Sequence, residues 1–167
     1  MPRDIPTAPV EILLNELSRL TIRVLALDPG ETTGIAYFEG PTLKIYQQIK
    51  EPTVELAASH LKDVIELYKP DIVVMEDYRV YSWKTKDHAW NSLHTSRLIG
   101  AVEYVCFERR VPLWKQMAQM PKGFCTDDKL RALGYYVGGK HARDAVRHGL
   151  YYLLFDSAKV HQLKEPQ

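Results

Sequence analysis

TIRVLALDPGETTGIAYFEG, residues 21–40, is the stretch of sequence that decides the fold. It begins with an apolar run rich in β-branched residues that ends at Asp28, a pattern typical of a buried strand. The turn PGETTG follows. GIAYFEG and TLKIYQQIK are then predicted to be two further strands, joined through Gly40 and Pro41. The segment therefore predicts a three-stranded meander at one side of a sheet.

Helical and strand patterns alternate after this meander. Helical periodicity covers residues 53–68 and ends at Lys69 and Pro70, and DIVVME at 71–76 is short and continuously apolar, like a central parallel strand. A long helix over 87–109, a short strand in VPLWKQM and helices over 127–136 and 141–155 follow. The order β-β-β-α-β-α-β-α-α predicts an α/β fold with a mixed five-stranded sheet flanked by helices.

The two ends of the chain have a different character. Residues 1–9, MPRDIPTAP, are predicted to be a flexible N-terminus, and residues 158–167 a C-terminal tail. Residues 10–20 have helical spacing of leucine and isoleucine, which predicts an accessory helix against the core edge or a partner subunit. A single folded domain is therefore expected over residues 21–157.

Composition limits the classes of function. The 167 residues include 22 Lys and Arg against 21 Asp and Glu, so the net charge of +1 gives no argument for nucleic-acid binding by the whole chain. A DNA-binding face would need local segregation of charge. Cys106 and Cys125 form no metal-binding pair and are predicted to be reduced thiols. With no signal-peptide pattern and no apolar run of about 20 residues, the chain is expected to be soluble and cytoplasmic, without a membrane partner.

Three acidic residues stand where an ordinary core would not place them. Asp28 and Glu76 each end an apolar strand, and Asp144 lies in the first turn of the last helix. If the two strands are neighbours, their acids meet at one edge of the sheet and the helix start can lie across them. A divalent cation such as Mg²⁺ would relieve the repulsion between gathered carboxylates. Taken singly, each acid is equally compatible with a turn or capping role.

Three blocks resemble the RuvC-type Holliday junction resolvases of the RNase H-like nuclease superfamily. They are LALDPGETTGIAYFE, IVVMED and HARDAVRHGLYYLL, and the segment from Arg97 to Gly123 is similar to the helix and strand between the last two. The resemblance covers roughly residues 22–155 and depends on the order and spacing of the blocks. It implies an RNase H-like fold and, by position, metal-binding roles for Asp28, Glu76 and Asp144.

The same resemblance implies a function. The expected activity is a crossover junction endodeoxyribonuclease: a homodimer that cuts four-way DNA junctions symmetrically, using Mg²⁺ or Mn²⁺ and two ions per site. His141 falls where many members have an aspartate, and it lies three residues before Asp144 on the same helix face. It is a candidate metal ligand or proton-transfer group, although a solvent-facing histidine would fit the same spacing. Asp77, next to Glu76, is a secondary candidate only, because neighbouring strand residues point to opposite faces.

Aromatic and basic side chains follow the second acidic strand, in DYRVYSWKTKDHAW. Aromatic rings stack on bases and cations contact phosphates, so this segment is a candidate for contact with branched DNA. A loop whose aromatic residues close the core is the structural alternative. The predicted DNA contacts are Tyr78, Arg79, Tyr81, Trp83, Lys84, Lys86, Lys115, Lys122, Lys140 and Arg143, with Arg147 as a possible extension.

Other functions stay open from the sequence. The same fold could serve an rRNA-precursor, flap or phage-packaging nuclease, or a non-catalytic junction-binding protein. The PGETTG turn is also similar to phosphate loops of actin-like ATPases and sugar kinases. Those proteins enclose a nucleotide between two such domains, so no nucleotide cofactor is expected here. A bacterial cytosol, or that of a phage-infected host, is the expected location.

Overall fold

The structure, a computed structural model, describes residues 9–78 and 89–157, with side chains of the long third helix from residue 93 onward. In chain order the elements are α1 (Val10–Ser18), β1 (Arg23–Asp28), β2 (Thr33–Glu39), β3 (Thr42–Ile49), α2 (Val54–Tyr68), β4 (Ile72–Glu76), α3 (Ala89–Arg109), β5 (Leu113–Gln116), α4 (Gln119–Phe124), α5 (Asp127–Leu133), α6 (Lys140–Tyr151) and a π-helical segment (Tyr152–Asp156).

The strands form one mixed sheet in the order β3-β2-β1-β4-β5. β1, β2 and β3 are antiparallel neighbours, as a meander requires, whereas β4 pairs parallel to β1 and β5 parallel to β4. The parallel pairs are connected through α2 and α3, since parallel neighbours need a crossover. The predicted α/β class and the mixed five-stranded sheet are confirmed.

Alternation along the strands divides the core between the two faces of the sheet. Val24, Ala26 and Val74 pack with α6, whereas Leu25 and Val73 belong to the cluster formed with α2 and α3. Helices therefore cover both faces, and α6 lies against β1, β2 and β3. This placement brings the start of α6 to the sheet edge where β1 and β4 end.

Gly34 permits that close approach. It pairs with Asp28 across β1 and β2, and a Cβ atom added at Gly34 would lie 1.8 Å from the backbone oxygen of His141. No other residue type fits without moving the helix. The Gln48 side chain also accepts hydrogen bonds from the backbone N–H groups of His141 and Ala142, at 2.8 and 3.3 Å. The first turn of α6 is thus fixed to β2 and β3.

Several predicted boundaries need correction. The helix predicted over 127–136 ends at Leu133, because Gly134 adopts the left-handed conformation with φ of 82° and caps it. Helix α4 was not predicted. The last helix begins at Lys140 and changes to π-helical hydrogen bonding after Tyr151. The predicted 10–20 helix is α1, which ends at Ser18 and buries Leu13 and Leu17 in the core.

Two further expectations concern single features. Cys106 and Cys125 are both free and buried. None of the helices in the described ranges is long and apolar enough to cross a lipid bilayer. Residues 1–8 of the flexible N-terminus predicted over 1–9, and the C-terminal tail predicted over 158–167, lie outside the described residues.

Candidate active site

Asp28 and Glu76 lie side by side at the ends of two parallel strands. The register pairs Leu27 with Met75, so the next residue of each strand is one of the two acids. Asp28 is 7% exposed, and one of its carboxylate oxygens lies within 4.8 Å of a carboxylate oxygen of Glu76. Two carboxylates this close repel each other, which favours a proton on one of them. The pair predicted from strand order is therefore formed.

The environments of the two acids separate their pKa values. Burial, then the charge of Glu76 and the hydrogen bond to it, raise the pKa of Asp28 to about 7. Burial also acts to raise the pKa of Glu76, but hydrogen bonding to His148 and the charge of Lys122 outweigh it and lower that pKa to about 2. Asp28 is therefore the acid of the pair that holds the proton near neutral pH.

The first turns of α6 bring two more predicted residues to this edge. His141 Nδ1 lies 3.1 Å from Asp28 Oδ2, and the imidazole is 39% exposed. Asp144 is buried, one helical turn further on. Asp28 thus has both Glu76 and His141 as close neighbours.

Two cations connect Asp144 to its surroundings. Lys122 Nζ lies 3.5 Å from Asp144 Oδ2 and 3.6 Å from Glu76 Oε2, so it bridges two of the predicted metal-binding acids. Burial opposes its charge, but Glu76, Asp144 and Asp28 raise the pKa of Lys122. Arg147 forms ion pairs with Asp144 and with Asp127 of α5. The site therefore contains its own positive charge among the acids.

Sequence reasoning missed His148. It is fully buried on α6, and its Nε2 lies 3.4 Å from Glu76 Oε2. Its spacing of seven from His141 and four from Asp144 puts all three on one helix face, which was the available signal. Among the described residues, the group of metal-ligand type with ligand atoms within 4.8 Å of one another consists of Asp28, Glu76 and His148.

A buried polar chain continues behind His148. Its Nδ1 lies 2.9 Å from Gln116 Oε1 at the end of β5, and Gln116 Nε2 donates to Asp156 Oδ2 at 3.1 Å. The indole N–H of Trp114 donates to the same oxygen at 3.1 Å. Asp156 is 5% exposed and lies in the π-helical segment. Buried polar groups of this kind are stable only when they are hydrogen-bonded to one another.

Comparison with solved structures identifies proteins of similar fold. Thermus thermophilus RuvC in complex with a Holliday junction substrate superposes with a TM-score of 0.66 and 18% identity over 82% of this chain and 96% of that chain. The chain has the fold of the RuvC-type Holliday junction resolvases. A second T. thermophilus RuvC structure gives 0.61 and 19% identity over 83% and 97% of the two chains. The yeast mitochondrial resolvase Ydc2 gives 0.60 and 14% identity over 90% and 87%.

The likeness to RuvC is one of structure. No family model matches the sequence, and no curated protein matches it at the sequence level. The resemblance predicted from the three sequence blocks is confirmed as a shared RuvC-type, RNase H-like fold.

On this RuvC-type fold, the predicted DNA contacts have different surroundings. Tyr78 is exposed just after β4, and Lys140 is exposed at the start of α6. Lys115 pairs with Glu103 of α3. Arg143 is only 19% exposed; it lies over the Tyr136 ring, and its Nη1 donates to Val137 O at 3.1 Å. The remaining candidates in the loop after β4, Arg79, Tyr81, Trp83, Lys84 and Lys86, lie outside the described residues.

The acids and imidazoles fit a divalent ion in both chemistry and spacing. Ligands of an Mg²⁺-sized ion lie about 2.1 Å from it and therefore up to roughly 4.2 Å apart. The ligand atoms of Asp28, Glu76 and His148 lie within 4.8 Å of one another, so a small inward movement would bring them to one ion. Burial and, after it, the charge of Glu76 raise the pKa of Asp28, and a bound cation would offset both effects.

Proposed function

We propose that the protein is a divalent-metal-dependent endonuclease that cleaves four-way DNA junctions by symmetric phosphodiester hydrolysis. The observation that carries this proposal is the close carboxylate pair of buried Asp28 and partly buried Glu76 near the start of α6. The pair lies at the strand ends of a RuvC-type fold. A close, poorly solvated carboxylate pair destabilises a protein when no cation is bound, so such a pair indicates a functional site.

Asp28, Glu76, His141 and Asp144 are the proposed residues of the metal site. Mg²⁺ is the proposed ion, with Mn²⁺ as an active substitute, and two ions per site are expected. Bound ions would supply charge stabilisation at the scissile phosphate and a lower pKa for the attacking water. Asp28 contacts both Glu76 and His141, so it is the acid best placed to serve two ions.

The chain's own residues would divide the remaining tasks. His141 is hydrogen-bonded to Asp28 and partly exposed, so its imidazole can exchange a proton with solvent or with a leaving group. Lys122 lies between Glu76 and Asp144, where its charge would also attract a phosphate. Arg147 holds Asp144 and orients its carboxylate.

Branched DNA and a second copy of the chain are the proposed partners. Exposed Tyr78 and Lys140, next to the acids in sequence or on α6, are the described residues best placed to contact DNA. Symmetric cleavage needs two matched sites, and a two-fold dimer supplies them. T. thermophilus RuvC, the similar structure, is solved with a Holliday junction, which supports this choice of substrate.

Junction cleavage by wild type and by Asp144→Asn tests the proposal. The variant is expected to lose at least about 100-fold in cleavage rate, since it removes one carboxylate charge from the metal site, while its affinity for the junction in Ca²⁺ is unchanged. Asp63→Asn, on the exposed face of α2, is the matched control. Full cleavage by Asp144→Asn would remove this acid from the site. Junction binding without cleavage by wild type would instead favour a non-catalytic binding protein.

A further inference from the structure

His148 is not among the four residues proposed above for the metal site, yet its imidazole is hydrogen-bonded within the buried polar chain and lies beside Glu76. It has no exposed surface, and its two ring nitrogens face different partners. Nδ1 lies 2.9 Å from Gln116 Oε1, and Nε2 lies 3.4 Å from Glu76 Oε2. Which nitrogen carries a proton decides whether Nε2 can bind a cation.

The polar chain behind His148 settles that question. An ionised Asp156 only accepts hydrogen bonds, so the amide N–H₂ of Gln116 must face it and the amide oxygen must face His148. Because this oxygen accepts only, Nδ1 of His148 carries the proton. In the metal-free protein a proton on Nε2 can be donated to Glu76, whereas in the neutral ring that would bind a cation Nε2 has a lone pair directed at the carboxylates.

Trp114 and the π-helical segment hold Asp156 in place. The indole N–H of Trp114 donates to the same oxygen of Asp156 that accepts from Gln116. Asp156 follows His148 by eight residues, and the segment Tyr152–Asp156 is π-helical. A π turn rotates less per residue than an α turn, which keeps Asp156 near the helix face that carries His148. Such segments are frequent at functional sites.

We propose that His148 is a nitrogen ligand of the active-site ion, oriented by Gln116, Asp156 and Trp114, and that it makes the site favour Mn²⁺ over Mg²⁺. The inference rests on the proposed function, since it concerns the same metal site. An Asp28–Glu76–His148 set adds imidazole to two carboxylates. Imidazole raises the affinity for Mn²⁺ more than for Mg²⁺, which prefers oxygen ligands. Gln116, Asp156 and Trp114 are positioning residues, because they act through His148.

Mn²⁺ bound to the DNA-free protein provides the direct test. Pulsed electron paramagnetic resonance is expected to show ¹⁴N coupling in wild type, and His148→Gln should lose the His148 contribution. His141→Gln distinguishes the coupling that comes from the other candidate imidazole. His60→Gln, at a surface contact with Glu51 on the other side of the sheet, is the control. Coupling that is absent from wild type, or unchanged in His148→Gln, would overturn the proposal.

Calorimetric titration with Mn²⁺ and Mg²⁺ tests the metal preference and the positioning residues. His148→Gln is expected to lose about 10–100-fold in Mn²⁺ affinity and much less in Mg²⁺ affinity. Asp156→Asn keeps the shape of the side chain but lets the Gln116 amide flip. It should therefore also lower the affinity for Mn²⁺ more than that for Mg²⁺. This variant keeps the test possible even if His148→Gln does not fold. Equal losses for both metals, or wild-type affinity in Asp156→Asn, would overturn this part.

These measurements need no DNA and no cleavage. A protein that cleaves junctions but shows no His148-dependent ¹⁴N coupling keeps the proposed function and loses this inference. A protein that shows this coupling but has no nuclease activity keeps this inference and loses the proposed function.

Discussion

Asp28 has an unfavourable position for a carboxylate in the metal-free protein. Its pKa of about 7 in the folded protein, against 3.8 as the usual value, means that the folded state binds the proton more tightly than the unfolded chain. The contribution of Asp28 to the free energy of unfolding is therefore fully present below about pH 4 and is lost as the pH rises through 7. Metal binding would restore the stability that is lost when Asp28 ionises. Such a loss is expected where the residues needed for function destabilise the unliganded protein.

Replacing Asp28 by Asn should consequently stabilise the metal-free protein at high pH. We expect Asp28→Asn to raise the free energy of unfolding at pH 8 by on the order of 1–3 kcal/mol, because the amide needs no proton. The gain should disappear near pH 4. Urea unfolding in EDTA at both pH values measures it, with Asp63→Asn as the exposed control. A variant that is less stable than wild type at pH 8 would contradict the raised pKa.

Lys122 supplies positive charge where the metal ion is expected. Its Nζ lies between Glu76 and Asp144, so a divalent ion has to compete with it. Lys122→Met should therefore increase Mn²⁺ affinity roughly fivefold, which corresponds to about 1 kcal/mol for a half-exposed ion pair. Calorimetric titration measures the change, and Lys62→Met on α2 is the control. Weaker Mn²⁺ binding in Lys122→Met would show that the ion binds elsewhere.

Some of these active-site residues could be predicted from the local sequence, and others could not. Asp28 and Glu76 are visible because each ends an apolar strand, and strand order then brings them together. His148 is hidden because a histidine in HARDAVRHG resembles any polar residue on an amphipathic helix. Its burial depends on Gln116 and Asp156, which are 32 residues before it and 8 after it, and no local pattern connects the three.

At the scale of elements, the active site depends on how closely α6 approaches β2. Gly34 is the contact point, since a Cβ there would meet the backbone of His141. The strands were predictable from apolar runs bounded by turns. Helix α4 was not, because Pro121 and Gly123 within QMPKGF ordinarily indicate a loop. Its stability comes from burying Pro121 and Phe124 rather than from local propensity.

Gly34→Ala tests the importance of that contact. The added methyl group would force α6 away from the sheet, so we expect a loss of about 1–3 kcal/mol in the free energy of unfolding. The cleavage rate should fall by more than the loss of folded protein explains, because the displaced helix would break the contact between His141 and Asp28. Gly100→Ala in α3 is the matched control, since its Cβ meets nothing within 4 Å. Wild-type stability and cleavage in Gly34→Ala would show that the start of α6 adapts freely.

At the scale of the whole molecule, symmetric cleavage requires two sites. The proposed dimer should use α3, where Tyr104 and Phe107 are 63% and 82% exposed. Isolated exposed aromatic residues are common, but two that lie one helical turn apart on the same helix indicate a contact surface. A long helix was predicted over residues 87–109, but its apolar side was equally compatible with core packing and with a dimer interface.

Light scattering after size exclusion should give twice the mass of one chain. Phe107→Glu is expected to produce monomers, because it places a charge in the proposed apolar interface. Tyr46→Glu, on the edge strand β3, changes an exposed aromatic residue elsewhere and should leave the dimer intact. A dimer that is unaffected by Phe107→Glu would place the interface on another surface.

Mapping the cuts that wild type makes on a four-way junction with every strand labelled tests the central claim most directly. With Mg²⁺ or Mn²⁺, we expect paired cuts at symmetric positions in two opposing strands near the branch point. Linear duplex, single strands, flaps and an RNA–DNA hybrid of the same sequence should remain intact under those conditions. Preferential cleavage of the hybrid or the flap, or unpaired cuts along duplex arms, would contradict the account.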